Sequence, residues 1–117
     1  MIFGSHVVLF SSDAEADREF LGRVFAFDHV DGGGGWLVFG LPPAEAAVHP
    51  SDSPGAGIYL MCDDLDAEMR RLADLGVLCS PVDDARWGSV TMIGLPGGGE
   101  IGLYQPRHPT MVRGDGP

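Results

Sequence analysis

The chain has 117 residues, 44% of them apolar, which is enough for one domain or for two small modules sharing a core. Its formal charge is −10, from 17 acidic residues against 7 arginines and no lysine, so nucleic acid and anionic membrane are excluded as natural partners. No stretch is long and apolar enough to span a bilayer, no signal-like N-terminus is present, and the two cysteines, Cys62 and Cys79, read as buried free thiols; the expectation is a cytoplasmic protein.

In chain order, residues 2–10 alternate as a strand, with His6, Val8 and Phe10 on one face and Val7 and Leu9 on the other. Ser12-Asp13-Ala14-Glu15 has the form of a capping box, and Ala16, Phe20, Leu21 and Val24 continue at helical spacing to about Phe25. Short strands are expected at 27–30 and 36–39, separated by the turn Asp31 to Gly35, and after the break at Gly40-Leu41-Pro42-Pro43 residues 44–49 suit a fourth strand, or a helical turn on Ala-Glu-Ala-Ala. Residues 50–55 are polar, rich in turn residues and linker-like. Residues 58–62 then form a strand, Asp63 caps a helix bearing Leu65, Met69, Leu72 and Leu75, and Gly76 ends it. Strands at 77–80, 87–93 and 100–105 follow, with a loop at 81–86 and a tight turn at 95–99. From Arg107 the chain is expected to fray, and the tripeptide Arg113-Gly114-Asp115 carries no weight there.

The two halves repeat. An offset of 51 takes His6 to Gly57, Ser12 to Asp63, Leu21 to Leu72 and Trp36 to Trp87, then drifts to 54, where Gly40-Leu41-Pro42 meets Gly94-Leu95-Pro96. The expected fold is therefore α+β: two βαβββ modules, at about 2–49 and 56–106, forming a curved mixed sheet around a cleft with helices on the outer face. The repeat, the run Tyr59 to Asp66, the Trp87-Gly88 pair and the run Leu95 to Pro106 together resemble the vicinal oxygen chelate superfamily, which includes glyoxalase I, bleomycin-resistance proteins, fosfomycin-resistance enzymes and extradiol dioxygenases.

That resemblance implies four metal-ligand positions. His6 fills the first, and His49 or Glu45 falls at the second. Gly57, or its neighbour Ala56, stands at the third and Gly102 at the fourth, with Glu100 two residues away on the same face. A transition ion wants about three protein ligands or more. The leading expectation is thus a small-molecule-binding protein without a cofactor, its ligand held among His6, Phe10, Trp36, Tyr59, Trp87, Glu100 and Tyr104. An aromatic trough holding an acid suits a flat or cationic ligand. The second reading is a metal-dependent lyase, isomerase or dioxygenase-like enzyme, with Zn, Ni, Mn or Fe on His6, His49 (or Glu45) and Glu100. A third is a structural or regulatory partner that binds no ligand. Open sheet edges and a short linker point to a homodimer, with the modules paired within one chain or exchanged between two.

Overall fold

The computed structural model describes residues 3, 6–45, 47–50, 52–53 and 55–112. The start of the expected first strand (Met1, Ile2, Gly4 and Ser5), Ala46, Ser51 and Pro54 of the linker region, and the tripeptide Arg113-Gly114-Asp115 lie outside them. The fold is α+β. The element order is α1 (Ala14–Val24), β1 (His29–Asp31), β2 (Leu37–Phe39), β3 (Tyr59–Met61), α2 (Leu65–Asp74), β4 (Asp83–Ala85), β5 (Gly88–Gly94) and β6 (Glu100–Pro106).

Both helices begin one residue later than the caps expected from sequence. Asp13 accepts from the Ala16 amide at 3.1 Å, and Asp64 accepts from that of Ala67 at the same distance. A carboxylate on the N-cap satisfies an orphan amide and also meets the positive end of the helix dipole. Ser12 is thereby released for another task. Its hydroxyl donates to the Gly97 carbonyl at 2.9 Å, while the Gly97 amide donates to Asp17 Oδ1 at 2.7 Å. The start of α1 thus grips the turn between β5 and β6. Asp17 is buried, so this bond replaces its water.

The second half builds a four-stranded sheet in the order β3-β6-β5-β4, with β3 parallel to β6 and the other pairs antiparallel. Residues 83–85, expected as loop, form β4, because Asp83 to Ala85 pair with Val90 to Gly88 across a tight turn. The expected strand at 77–80 is reduced to a single bridge between Cys79 and Ile93. Ile93, Ile101 and Leu103 point to one side and pack with Phe20, Leu21 and Val24 of α1 and Leu65 and Leu72 of α2. Each such side chain contributes about 1.5–3 kcal/mol when fully buried. Both helices therefore cover the same side of the sheet and leave its other side open.

The first half is less regular. β1 and β2 make a two-stranded hairpin. Residues 6–10 and 44–49 adopt no strand among those described. In the second half, β3 pairs with β6, and the matching pair in the first half is 6–10 with 44–49. Pro43 and Pro50 bracket the latter, and its alanines offer little to a pleated surface. Without that central strand, residues 6–10 lack their parallel neighbour. Leu9 still packs against the core, while Phe10 is 92% exposed.

Candidate functional site: an aromatic sheet face

The open side of the sheet is set by register. Tyr59 and Gly102 are partners across β3 and β6, as are Met61 and Tyr104, and Val90 and Met92 of β5 lie opposite Tyr104 and Gly102. Alternation places all six on the face away from the helices. There the rings form a chain. Tyr59 meets Tyr104 edge-on with centroids 6.1 Å apart, and Trp87 meets Tyr104 edge-on at 5.6 Å. Tyr59 is 50% exposed and Trp87 39% exposed, so this array is presented to solvent rather than packed away.

Two glycines shape the array. A Cβ added at Gly102 would fall inside the Tyr59 ring, so this glycine is the seat on which Tyr59 lies. At Gly88 a Cβ would stand 2.6 Å from the Gln105 carbonyl, so only glycine lets the chain turn so tightly after Trp87. Trp87 is further held through its carbonyl, which accepts from the Arg107 amide at 2.8 Å. The Arg107 guanidinium donates to the Ala85 carbonyl at 2.5 Å, to Asp84 at 3.1 Å and to the Ser89 hydroxyl at 2.6 Å, clamping both sides of that turn. Ser89 also donates a short hydrogen bond to Asp84, and this bond and Arg107 hold the Asp84 carboxyl below its usual range.

His108, for which the sequence offered no signal, extends the array. Its ring lies 6.0 Å from that of Tyr104, and Nε2 is 3.2 Å from the Tyr104 hydroxyl. It lies four residues after Tyr104 and past the end of β6, so only the path the chain takes after the strand brings the two rings together. Glu45, from the first half, also reaches this region. Its carboxylate accepts from the Met111 amide at 2.7 Å. Burial, and then the Glu45 charge, push the Tyr104 phenol up from its ordinary value. Residues 107–112 are thus tied to the body through Arg107, His108 and Met111.

The other sequence candidates lie apart. Trp36 is 71% exposed beside the β1–β2 turn, with the Arg18 guanidinium 5.4 Å above its ring. It therefore belongs neither to the core nor to the array. The turn that carries it is closed by Asp31, which accepts from the Gly33 and Gly35 amides at 2.7 and 3.2 Å. Phe10, His6 and His49 stand on exposed backbone outside any element. Glu100 is exposed at the start of β6, opposite Gly94. Among the described residues no three His, Cys, Asp or Glu side chains come together as a metal site, so His6, His49 and Glu100 are not one donor set here. Two hollows lie off the aromatic face. One of about 570 Å³ separates α1 from the β1–β2 hairpin and is lined by Arg18, Arg23, Leu37 and Phe39. The other, about 310 Å³, adjoins Met61 and is lined by Pro42, Cys62, Asp63 and Glu68. Burial, with the Glu68 charge second, raises the Cys62 thiol to about 11, so it is a poor nucleophile.

No protein-family model matches the chain, and no curated protein matches it. Solved structures do. The chain is 32% identical to TnmS3, an antibiotic binding protein from Streptomyces sp. CB03234, with 91% of this chain and 99% of that one covered and a TM-score of 0.64. It is 30% identical to a glyoxalase/bleomycin resistance protein from the same strain, over 81% of this chain and 93% of the other, with a TM-score of 0.57. The chain belongs to the glyoxalase/bleomycin resistance/dioxygenase superfamily, the vicinal oxygen chelate group. A further superfamily member, from Sphaerobacter thermophilus DSM 20745, shares the fold at 21% identity, covering 90% of this chain and 98% of its own, with a TM-score of 0.64. Within the vicinal oxygen chelate fold, α1 and α2 lie behind the sheet, and the Tyr59–Tyr104–Trp87 array occupies the side they leave open. No helix of the described residues is long and apolar enough to cross a membrane.

Proposed function

We propose that this protein sequesters a flat, aromatic small molecule, cationic or uncharged, on the face built by Tyr59, Tyr104 and Trp87, and that it does so without a metal ion. The observation that carries the reading is the half-exposed ring chain on an otherwise finished sheet, held by Gly88 and Gly102. Ring–ring contacts add about 0.5–1.5 kcal/mol each beyond burial, and a cation over a ring about 0.5–2 kcal/mol. The antibiotic binding described for TnmS3 supports a ligand-holding role. Support for a metal-free site comes from Gly57 and Gly102 at two ligand positions. A ligating side chain at Gly102 would displace Tyr59.

The reading extends to a cytoplasmic homodimer. Residues 6–10 pair with a second copy and bring His6 and Phe10 to the aromatic face, where Glu100 supplies charge and Trp36 a more remote ring. The exposure of Phe10 and Val8, and the free edge of β3, support it. Light scattering at micromolar concentration is expected to give twice the chain mass, and a monomer overturns the dimer.

Tryptophan fluorescence titrated with planar aromatic compounds tests the binding. Saturable quenching is expected, weakened about tenfold, or about 1.4 kcal/mol, by Tyr104→Ala. Silence across a panel of charged and uncharged planar compounds overturns it. A stoichiometric ion in purified protein, lost in His6→Ala, would overturn the metal-free part and favour the metal-dependent enzyme.

A further inference from the structure

His108 stands at the end of the aromatic array, with both ring nitrogens engaged. His108 Nδ1 lies 2.7 Å from the Pro109 carbonyl oxygen, which has only lone pairs to offer. Nδ1 therefore carries the hydrogen in the neutral ring, and Nε2 is left as an acceptor. Among the described residues, the hydroxyl that reaches Nε2 is that of Tyr104, at 3.2 Å. In this state Tyr104 spends its hydrogen on His108 and turns its lone pairs to the open face. Protonation of the imidazole reverses the bond. Both ring nitrogens then donate, Tyr104 Oη must accept from Nε2, and the phenol hydrogen turns outward beside a new positive charge.

We propose that His108 is a specificity-determining residue, which sets whether the aromatic face presents a ligand with a hydrogen-bond acceptor or with a donor and a cation. The proposal rests on the binding reading above. The neutral state favours a cationic or donor-bearing aromatic ligand, and the protonated state favours an anionic or acceptor-bearing one. Of the charged groups that the described residues bring to Tyr104, Glu45 and Arg107 are already engaged, and His6, which the dimer reading brings to this face, is separated from His108 by running the same titration on His6→Ala. Glu45, whose charge acts on Tyr104, is a carboxylate already engaged with the Met111 amide. Arg107, next in the chain, is committed to Ala85, Asp84 and Ser89, and the Asp84 carboxyl is held below its usual range. Tyr59 and Trp87 complete the face as neutral rings. The comparison is run from about pH 8 down to about pH 5.5, the range over which histidine is the side chain that ordinarily changes charge.

The test uses two planar probes of fixed charge, 10-methylacridinium and 1-pyrenesulfonate, titrated against the full chain by fluorescence across that window. The ratio of cation to anion affinity is expected to fall by about tenfold or more, the worth of about 1.4 kcal/mol, on lowering the pH. In His108→Phe, which keeps the ring but not the proton, the ratio stays flat. His108→Gln, which keeps a polar partner for Tyr104 without the charge, also stays flat. A ratio independent of pH in the unaltered protein overturns the proposal, as does a pH-dependence that survives in both variants. Nitrogen-15 NMR of the imidazole needs no ligand: the hydrogen is expected on Nδ1 at pH 8, and finding it on Nε2 overturns the proposal. Failure of both probes to bind at every pH overturns the binding reading, and this proposal with it, and is distinguishable from binding that ignores pH.

Discussion

The second half of this chain completes a sheet that the first half does not, although the two share a repeat. Two positions account for much of the difference. The turn 95–99 is gripped from α1 because Gly97 has an amide to give Asp17 and no Cβ to strike it; a Cβ there would come within 2.6 Å of the Asp17 carboxylate. By the offsets of the repeat, Gly97 corresponds to Pro43 and Asp17 to Glu68. Proline has no amide hydrogen, so the matching grip cannot form, and Glu68 pairs instead with Arg71 at 3.0 Å on its own helix. The hollow lined by Pro42, Asp63 and Glu68 stands where that junction would close. The helix ends differ likewise. α2 stops on Gly76 at a φ of +76°, which glycine adopts freely, whereas α1 is followed by Ala26 at +56°, which costs alanine about 1–2 kcal/mol. A duplicated architecture is thus only as regular as its turn residues allow.

The sharpest way to break this comparison is to cut into both halves. Leu72→Ala, at a fully buried position of α2, is expected to cost about 2–5 kcal/mol in denaturant unfolding. Val48→Ala, at a position 98% exposed, should change stability by no more than about 0.5 kcal/mol. A large loss at Val48 would show that residues 44–49 are packed in solution, as a strand exchanged in a dimer would be.

Next in size is the chemistry of Cys62, which stands where the first half has Ser11. With its thiol raised from 9.0 to about 11, its thiolate fraction at pH 8 is about 100-fold below that of a free cysteine. Alkylation by iodoacetamide should be correspondingly slow, and a rate like that of a free thiol would mean that the junction opens. The folded state holds the Cys62 proton where the unfolded chain has lost it. This contribution to stability is therefore whole below about pH 9 and is lost as pH rises toward about 11.

The grip itself comes third. Asp17→Ala strands a buried amide at Gly97 and is expected to cost about 1–3 kcal/mol. Glu68→Ala removes only an exposed pair, worth about 0–1 kcal/mol. Equal costs would mean that the two junctions are alike after all. Smallest is Ala26→Gly, which relieves the left-handed residue after α1 and should raise stability by about 0.5–1 kcal/mol in thermal or urea unfolding.

Much of the site was legible residue by residue. Tyr59 and Tyr104 follow from alternation along strands whose turns the sequence marks clearly, and Trp87 from the Trp-Gly pair that starts β5. His108 was not legible, since its contact with Tyr104 depends on how the chain leaves β6. Nor could pattern alone place Trp36, which the repeat matches to Trp87 but which the Gly32–Gly35 turn leaves at the surface under Arg18.

By itself the sequence determined the α+β class, both helices, the turn at 95–99 and the superfamily resemblance, because apolar period, capping acids and glycine placement act over a few residues. Only the tertiary structure decided which strands pair, since a ladder needs a partner from far along the chain, as β3 has in β6. It alone brought His108 to the Tyr104 hydroxyl and to the Pro109 carbonyl, because those contacts depend on the path the chain takes after β6.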